Sequence, residues 1–167
     1  MDEADARIDE IDHALLAALQ QDASLSQRDL AERVGLSQNA CWRRLARLRE
    51  SGVLRGSRAL VAPASVGLDL TVFVMIRTRH HDDRWAARFR SRVESIPEVT
   101  EFHRIGGEWD YLAKVVTRSM AGYDRVYRML IQDMDIERVT GLFSMETILA
   151  DRPLALGSTR GPAGKPR

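Results

Sequence analysis

The sequence predicts an α+β chain in two parts. A small helical N-terminal part ends in a winged helix-turn-helix, and a C-terminal part follows as a ferredoxin-like βαββαβ sandwich. Three observations lead there: apolar residues recur at helical spacing over 8–50, the pattern turns to β-branched runs near residue 70, and charge is divided sharply along the chain.

The first helix is expected over 8–21, from the stripe Ile8, Ile11, Leu15, Leu16 and Leu19. Ser24 or Ser26 can cap a second helix, with Asp29 standing in for the Glu or Gln of a capping box and Leu30, Ala31 and Val34 on the buried side. Gly35 ends that helix, because a residue without Cβ enters the left-handed region at no steric cost. Ser37 is a good N-cap for a third helix running to about Ser51, with Cys41, Leu45 and Leu48 inward and Gly52 closing it. Two short helices joined by a glycine-containing turn, with Ala31 small enough for close approach, make the helix-turn-helix arrangement. A plain three-helix bundle shares that turn, so the placement of charge decides between them.

The formal net charge of +1 averages opposites: residues 1–32 carry 9 acidic and 2 basic groups, whereas 33–62 carry 7 arginines against Glu50 alone. Removing the inward positions from the third helix leaves Gln38, Asn39, Trp42, Arg43, Arg44 and Arg47 outward, behind two acidic helices. Only one element is therefore suited to a polyanion. Gln and Asn at its leading end can pair with adenine edges in the major groove, each good pair being worth ~1–3 kcal/mol of base discrimination, and arginines can reach guanine or phosphate. Ser37 at the start of the helix completes this face, and Arg55 and Arg58 would extend its phosphate contacts from a strand pair or wing over 53–62. The candidate partner is double-stranded DNA.

Residues 1–62 are read as the first domain and 63–69, opening with Pro63, as a linker. In the second domain, 70–150, the run 70–78 suits a buried strand, and 82–96 places Trp85, Phe89, Val93 and Ile96 at helical spacing before Pro97. Strands follow over 99–105 and 111–117, joined through Gly106 and Gly107. Ser119 caps a helix with the stripe Met120, Tyr123, Tyr127, Leu130 and Met134, and 138–149 closes as the last strand. Two helices on one face of an antiparallel sheet leave the other bare, so a second copy is expected on that face or at an edge strand. Residues 151–167 form an extension whose part 157–167, rich in Gly, Pro and basic residues, is expected to be disordered.

A chain of 167 residues with 44% hydrophobic content is long enough for one core or two small ones. Its longest unbroken apolar run, residues 14–19, falls far short of the roughly 20 residues that cross a bilayer, and no leader pattern opens it, so a cytoplasmic protein without a membrane partner is expected. The single cysteine, Cys41, excludes an internal disulfide or paired-thiolate zinc site and reads as a small core residue. Residues 80–83 hold metal-capable side chains that do not converge readily from one turn, and no metal or cofactor is expected. Glu101, His103 and Asp110 come with neither nucleophile nor cofactor cradle, so no enzyme is expected.

The chain resembles the Lrp/AsnC family of leucine- and asparagine-responsive transcription regulators. Ile8-Asp9-x-Ile11-Asp12, Leu30-Ala31-x-x-Val34-Gly35-Leu36-Ser37 and Cys41-x-x-Arg44-Leu45-x-x-Leu48 carry the likeness, with Gly52-Val53-Leu54-x-Gly56 and Gly106-x-x-x-Asp110-Tyr111. The resemblance implies sequence-specific DNA binding modulated by a small effector, commonly an amino acid, in homodimers that assemble into octamers or other higher oligomers. It also implies an effector loop of Gly106, Gly107, Glu108, Trp109, Asp110 and Tyr111, with Asp110 facing an effector ammonium and the glycine amides its carboxylate. Thr140, Gly141 and Leu142 would complete the pocket from a neighbouring subunit, and Trp109 would either cover the ligand or pack the dimer interface. Gln38-Asn39-Ala40 departs from the proline-containing stretch common at the start of the family's recognition helix. An architectural DNA-binding protein without metabolite control is the alternative.

Overall fold

The computed structural model describes residues 8–156; the disorder expected for 157–167 lies outside them. Contacts divide the chain into two compact units, one up to Leu60 together with the residues from Leu149 on, the other Val61–Ile148.

The first unit holds α1 (Glu10–Gln21), α2 (Gln27–Arg33) and α3 (Gln38–Glu50). Asp9 caps α1, Ser26 caps α2 and Ser37 caps α3, each side chain accepting a backbone N–H three residues on. Gly35 takes φ 70° directly after α2, which allows the tight turn into α3. The core is Leu15, Ala18, Leu30, Ala31, Cys41 and Leu45. The α1 stripe differs from expectation in its first turn. Ile11 is exposed and the inward position is filled by Asp12, which has no solvent exposure.

The strand pair expected over 53–62 does not form within the chain. The Leu54 N–H is spent on the Leu48 carbonyl, 2.8 Å away, closing the end of α3, and, among the described residues, 55–62 donate no backbone hydrogen bond to another segment. Beyond Leu149 the chain returns to its own unit. The Gln20 side-chain amide donates to the Leu154 carbonyl at 3.3 Å and accepts from its N–H at 2.6 Å.

The second unit begins with a single 3₁₀ turn, Pro63–Val66, and continues β1 (Leu70–Arg77), α4 (Asp83–Glu94), β2 (Val99–Arg104), β3 (Tyr111–Thr117), α5 (Met120–Ile131) and β4 (Arg138–Phe143). The strands form one antiparallel sheet in the order β2-β3-β1-β4, the split βαββαβ arrangement. Alternation in β1 sends Val72, Val74 and Ile76 to the helix side, where they join Trp85, Phe89, Val93 and Ile96 of the α4 segment, Tyr111, Ala113 and Val115 of β3, and Val126 and Leu130 of α5. Val126, rather than Met120, lies on the buried stripe of α5; Met120 at the first helical position is exposed. β4 ends at Phe143, short of the expected 149, where the Ser144 hydroxyl turns to the Glu146 carbonyl at 3.1 Å. The Ser144 N–H still reaches the Thr71 carbonyl at 3.0 Å.

Gly141 of β4 lies opposite Val74, on the helix side, and a Cβ there would overlap the Tyr123 hydroxyl. Its missing side chain is thus a packing requirement of α5. Gly141→Ala is expected to destabilise the protein by about 1–3 kcal/mol, the usual cost of overpacking, and Tyr123→Phe to relieve part of that cost. Thermal unfolding of the two single variants and the double variant measures the coupling, which should be favourable to the pair.

Candidate nucleic-acid interface and effector loop

Helix α3 follows its cap into Gln38, Asn39, Trp42 and Arg43, all exposed, Trp42 at 55% despite its size. Ser37 is also exposed, its hydroxyl occupied by the Ala40 N–H at 3.3 Å. Arg55 and Arg58 lie exposed in the extended segment beyond the helix. Cys41 is fully buried, and burial pushes its thiol above the ordinary range, as suits an inert core residue.

Arg44 and Arg47 do not stand free as expected. Arg44 Nη1 bonds Asp9 Oδ2 at 2.6 Å and Asp12 Oδ1 at 2.9 Å, and Arg47 Nη2 bonds Asp12 Oδ2. The physical reason is the inward Asp12, which cannot remain charged in a small core without cationic partners. Asp9 and Asp12 also complete a reciprocal capping box at the start of α1, each accepting the other's backbone N–H. Matching three-residue spacings, Asp9/Asp12 on one helix and Arg44/Arg47 on the other, were the available signal for this network.

The connection between β2 and β3 is closed by Ile105 N–H on the Asp110 carbonyl at 2.9 Å and tied to β1 by Asp110 N–H on the Ile76 carbonyl at 3.0 Å. One Asp110 carboxylate oxygen accepts the Thr78 N–H at 2.8 Å; the other lies 3.9 Å from His81 Nδ1. Gly106 and Gly107 are exposed, the latter at φ 119°, and Glu108 is exposed beside them. Trp109 is half-buried beneath Arg138, whose guanidinium carbon sits 5.3 Å from the ring centroid, a cation–π contact. Tyr111 opens β3 and is buried, stacked on Phe102. Thr140 and Leu142 point to the helix-free face, and Gly141 between them to the opposite one. Thr78, His81 and Arg138 are neighbours of this loop that sequence spacing alone does not bring to it.

Residues 80–83 are spent locally. Asp82 caps α4 by accepting the Trp85 N–H, which together with its other contacts lowers its pKa, and His80 Nε2 is 2.7 Å from Asp135. Glu101 is held below its usual range first by the Lys114 ammonium, 2.9 Å away, and lies 3.6 Å from His103.

Residues 8–55 match the winged helix-turn-helix DNA-binding family and 71–154 the Lrp/AsnC ligand binding domain. The chain belongs to the Lrp/AsnC family. It is 46% identical over 142 residues to the DNA-binding transcriptional activator DecR of Escherichia coli K12, covering 84% of this chain and 93% of that one. It is also similar to a crystal structure of an AsnC family transcriptional regulator from Agrobacterium tumefaciens, with a TM-score of 0.82 and 42% identity over 89% of this chain and 97% of that one. A transcriptional regulator from Neisseria meningitidis solved as a complex with L-Met gives 0.80 at 30% identity, over 89% and 96%. This Lrp/AsnC chain is thus a transcriptional regulator with a DNA-binding and a ligand-binding domain, and the relatives it matches are regulators rather than enzymes. No helix among the described residues is long and apolar enough to cross a membrane.

The network at α1 carries a pH dependence. The Asp12 N–H, and next the Arg44 guanidinium, hold Asp9 below the ordinary carboxylate pKa. Its contribution is complete above the unfolded value of about 3.9 and is lost as pH falls through the lower folded value. Asp9→Asn keeps an N-cap but lacks this titration. Thermal midpoints measured from pH 6 down to pH 2.5 should fall less steeply in that variant than in the parent.

Proposed function

We propose that this regulator reads specific DNA sequences through the leading end of α3 and that its operator binding or assembly is modulated by a small amino-acid effector. The observation that carries the first part is the free face Gln38, Asn39, Trp42 and Arg43 directly after the Ser37 cap, chemistry suited to base edges and phosphates. Arg55 and Arg58 extend it along the backbone.

The effector is assigned to the loop of Gly106, Gly107, Glu108, Trp109, Asp110 and Tyr111. Asp110 keeps one carboxylate oxygen for an ammonium while the other is bonded to Thr78, and the exposed glycine amides suit a carboxylate. The L-Met complex of the Neisseria meningitidis regulator supports an amino acid as the class. Thr140 and Leu142 of a neighbouring copy would close the pocket. The helix-free sheet face supports assembly. Phe73 of β1 lies between Lys114 and Leu142, and Met75 between Leu112 and Thr140, a partly exposed apolar patch of the kind a homodimer buries. Higher assembly, to an octamer or another oligomer, would bring loops and β4 residues of different copies together. The protein acts in the cytoplasm, by binding alone.

Two recognition helices in a symmetric dimer would enter successive major grooves about 34 Å apart. Effector binding shifts operator occupancy only if it favours one assembly over another, since equal affinity for both changes nothing.

A thermal-shift screen across amino acids should find a ligand that raises stability, by ~2.7 kcal/mol at 100 times its dissociation constant. Asp110→Ala should lose that shift and the effector response in a gel-shift titration while retaining DNA affinity. An unaltered response in the variant overturns the loop assignment.

A further inference from the structure

We propose that Asp12 is a positioning residue that sets affinity for DNA: by binding Arg44 and Arg47 it restrains two guanidiniums of α3 from DNA phosphates. This rests on α3 being the DNA-reading helix. Asp12 has no solvent exposure, and both its oxygens are occupied by α3 arginines, Oδ1 by Arg44 and Oδ2 by Arg47, the latter also taking the Asp9 N–H at 3.2 Å. Asp9 Oδ2 takes Arg44 a second time. Two carboxylates against two guanidiniums make a cluster with no net charge, so it offers a phosphate little attraction.

Stability alone is a weak reason for such a site. A buried ion pair often gains nothing over apolar side chains of similar volume. The consequence for recognition is larger. Phosphate contacts carry no sequence information, yet each adds about 0.9 to the slope of log affinity against log salt and raises affinity for any DNA alike. With Arg44 and Arg47 bound to α1, binding depends more on Gln38, Asn39, Trp42 and Arg43. The clamp thereby limits the salt-dependent, sequence-independent part of binding, and it ties α3 to α1 through Arg47, one turn along the same helix face from Arg43.

The test uses the full chain, a duplex that the parent selects from a random pool, and a scrambled duplex of equal length. Asp12→Asn removes the charge and keeps the shape. It is expected to steepen the salt slope by about 0.9 to 1.8 and to tighten binding to the selected and the scrambled duplex alike, with their ratio unchanged, the gain over the parent falling roughly threefold per freed phosphate contact between 50 and 200 mM salt. The double variant Asp12→Asn with Arg47→Gln should bring the slope back toward the parent, which a merely structural role would not do. A folded Asp12→Asn protein with unchanged slope and unchanged affinity for both duplexes overturns the proposal. Should that variant fail to fold, Asp9→Asn decides in its place: it frees one arm of Arg44 and should shift the slope in the same direction, and no shift overturns the proposal. The triple variant Gln38→Ala, Asn39→Ala, Arg43→Ala separates the two readings, because intact binding to the selected duplex in that variant would remove α3 from DNA reading altogether.

Discussion

A carboxylate shut away from water organises the DNA-binding unit. Its apolar core is small, six residues against thirteen in the second unit, and a core that size cannot by itself fix how two helices rotate against each other. Asp12 supplies the missing constraint. Because a buried charge without partners is far costlier than one with them, α3 must present Arg44 and Arg47 to α1, and the rotation that does so turns Gln38, Asn39, Trp42 and Arg43 to solvent. The acid-rich start and arginine-rich centre of the sequence are thus two halves of one contact as well as a charge pattern for DNA.

The second unit solves its problem with a central strand. β1 pairs with β3 on one side and β4 on the other, so the residues at its end, Ile76 and Thr78, are within reach of the β2–β3 connection. Both use backbone groups to hold Asp110, and Arg138 at the start of β4 lies over Trp109. A loop with two adjacent glycines would otherwise be expensive to order. Here its two ends are pinned while the glycines themselves stay open.

Local chemistry in this chain was readable and non-local chemistry was not. The caps Ser26, Ser37, Asp82 and Ser119, the turn at Gly35, the inward stripe Cys41, Leu45 and Leu48, and the strand-helix order of the second unit follow from spacing and residue type over a few positions. The errors share a cause. The inward place of Asp12 depends on arginines 32 and 35 positions away. The absence of a side chain at Gly141 depends on the phenol of Tyr123, 18 positions away. Arg44 and Arg47 were rightly placed on their helix, but a periodicity argument assigns a face and not a partner. For the effector loop, the residues were legible only through the family resemblance; the Thr78, His81 and Arg138 contacts come from strands that sequence spacing does not bring together.

Under the proposed reading, the tie between Asp110 and β1 also bears on where regulation originates. A group held by its own backbone neighbours is preorganised, which lowers the cost of binding but does so equally in every assembly of the protein. Such a group confers affinity without changing an equilibrium. The difference in affinity that regulation requires must then come from groups whose position depends on assembly. Gly107 and Glu108 are candidates on this chain, and Thr140 and Leu142 on the open sheet face of a neighbouring copy are the others. On that reading affinity and regulation would reside in different residues of one pocket, the first in a loop anchored to the central strand and the second in what another copy brings to it.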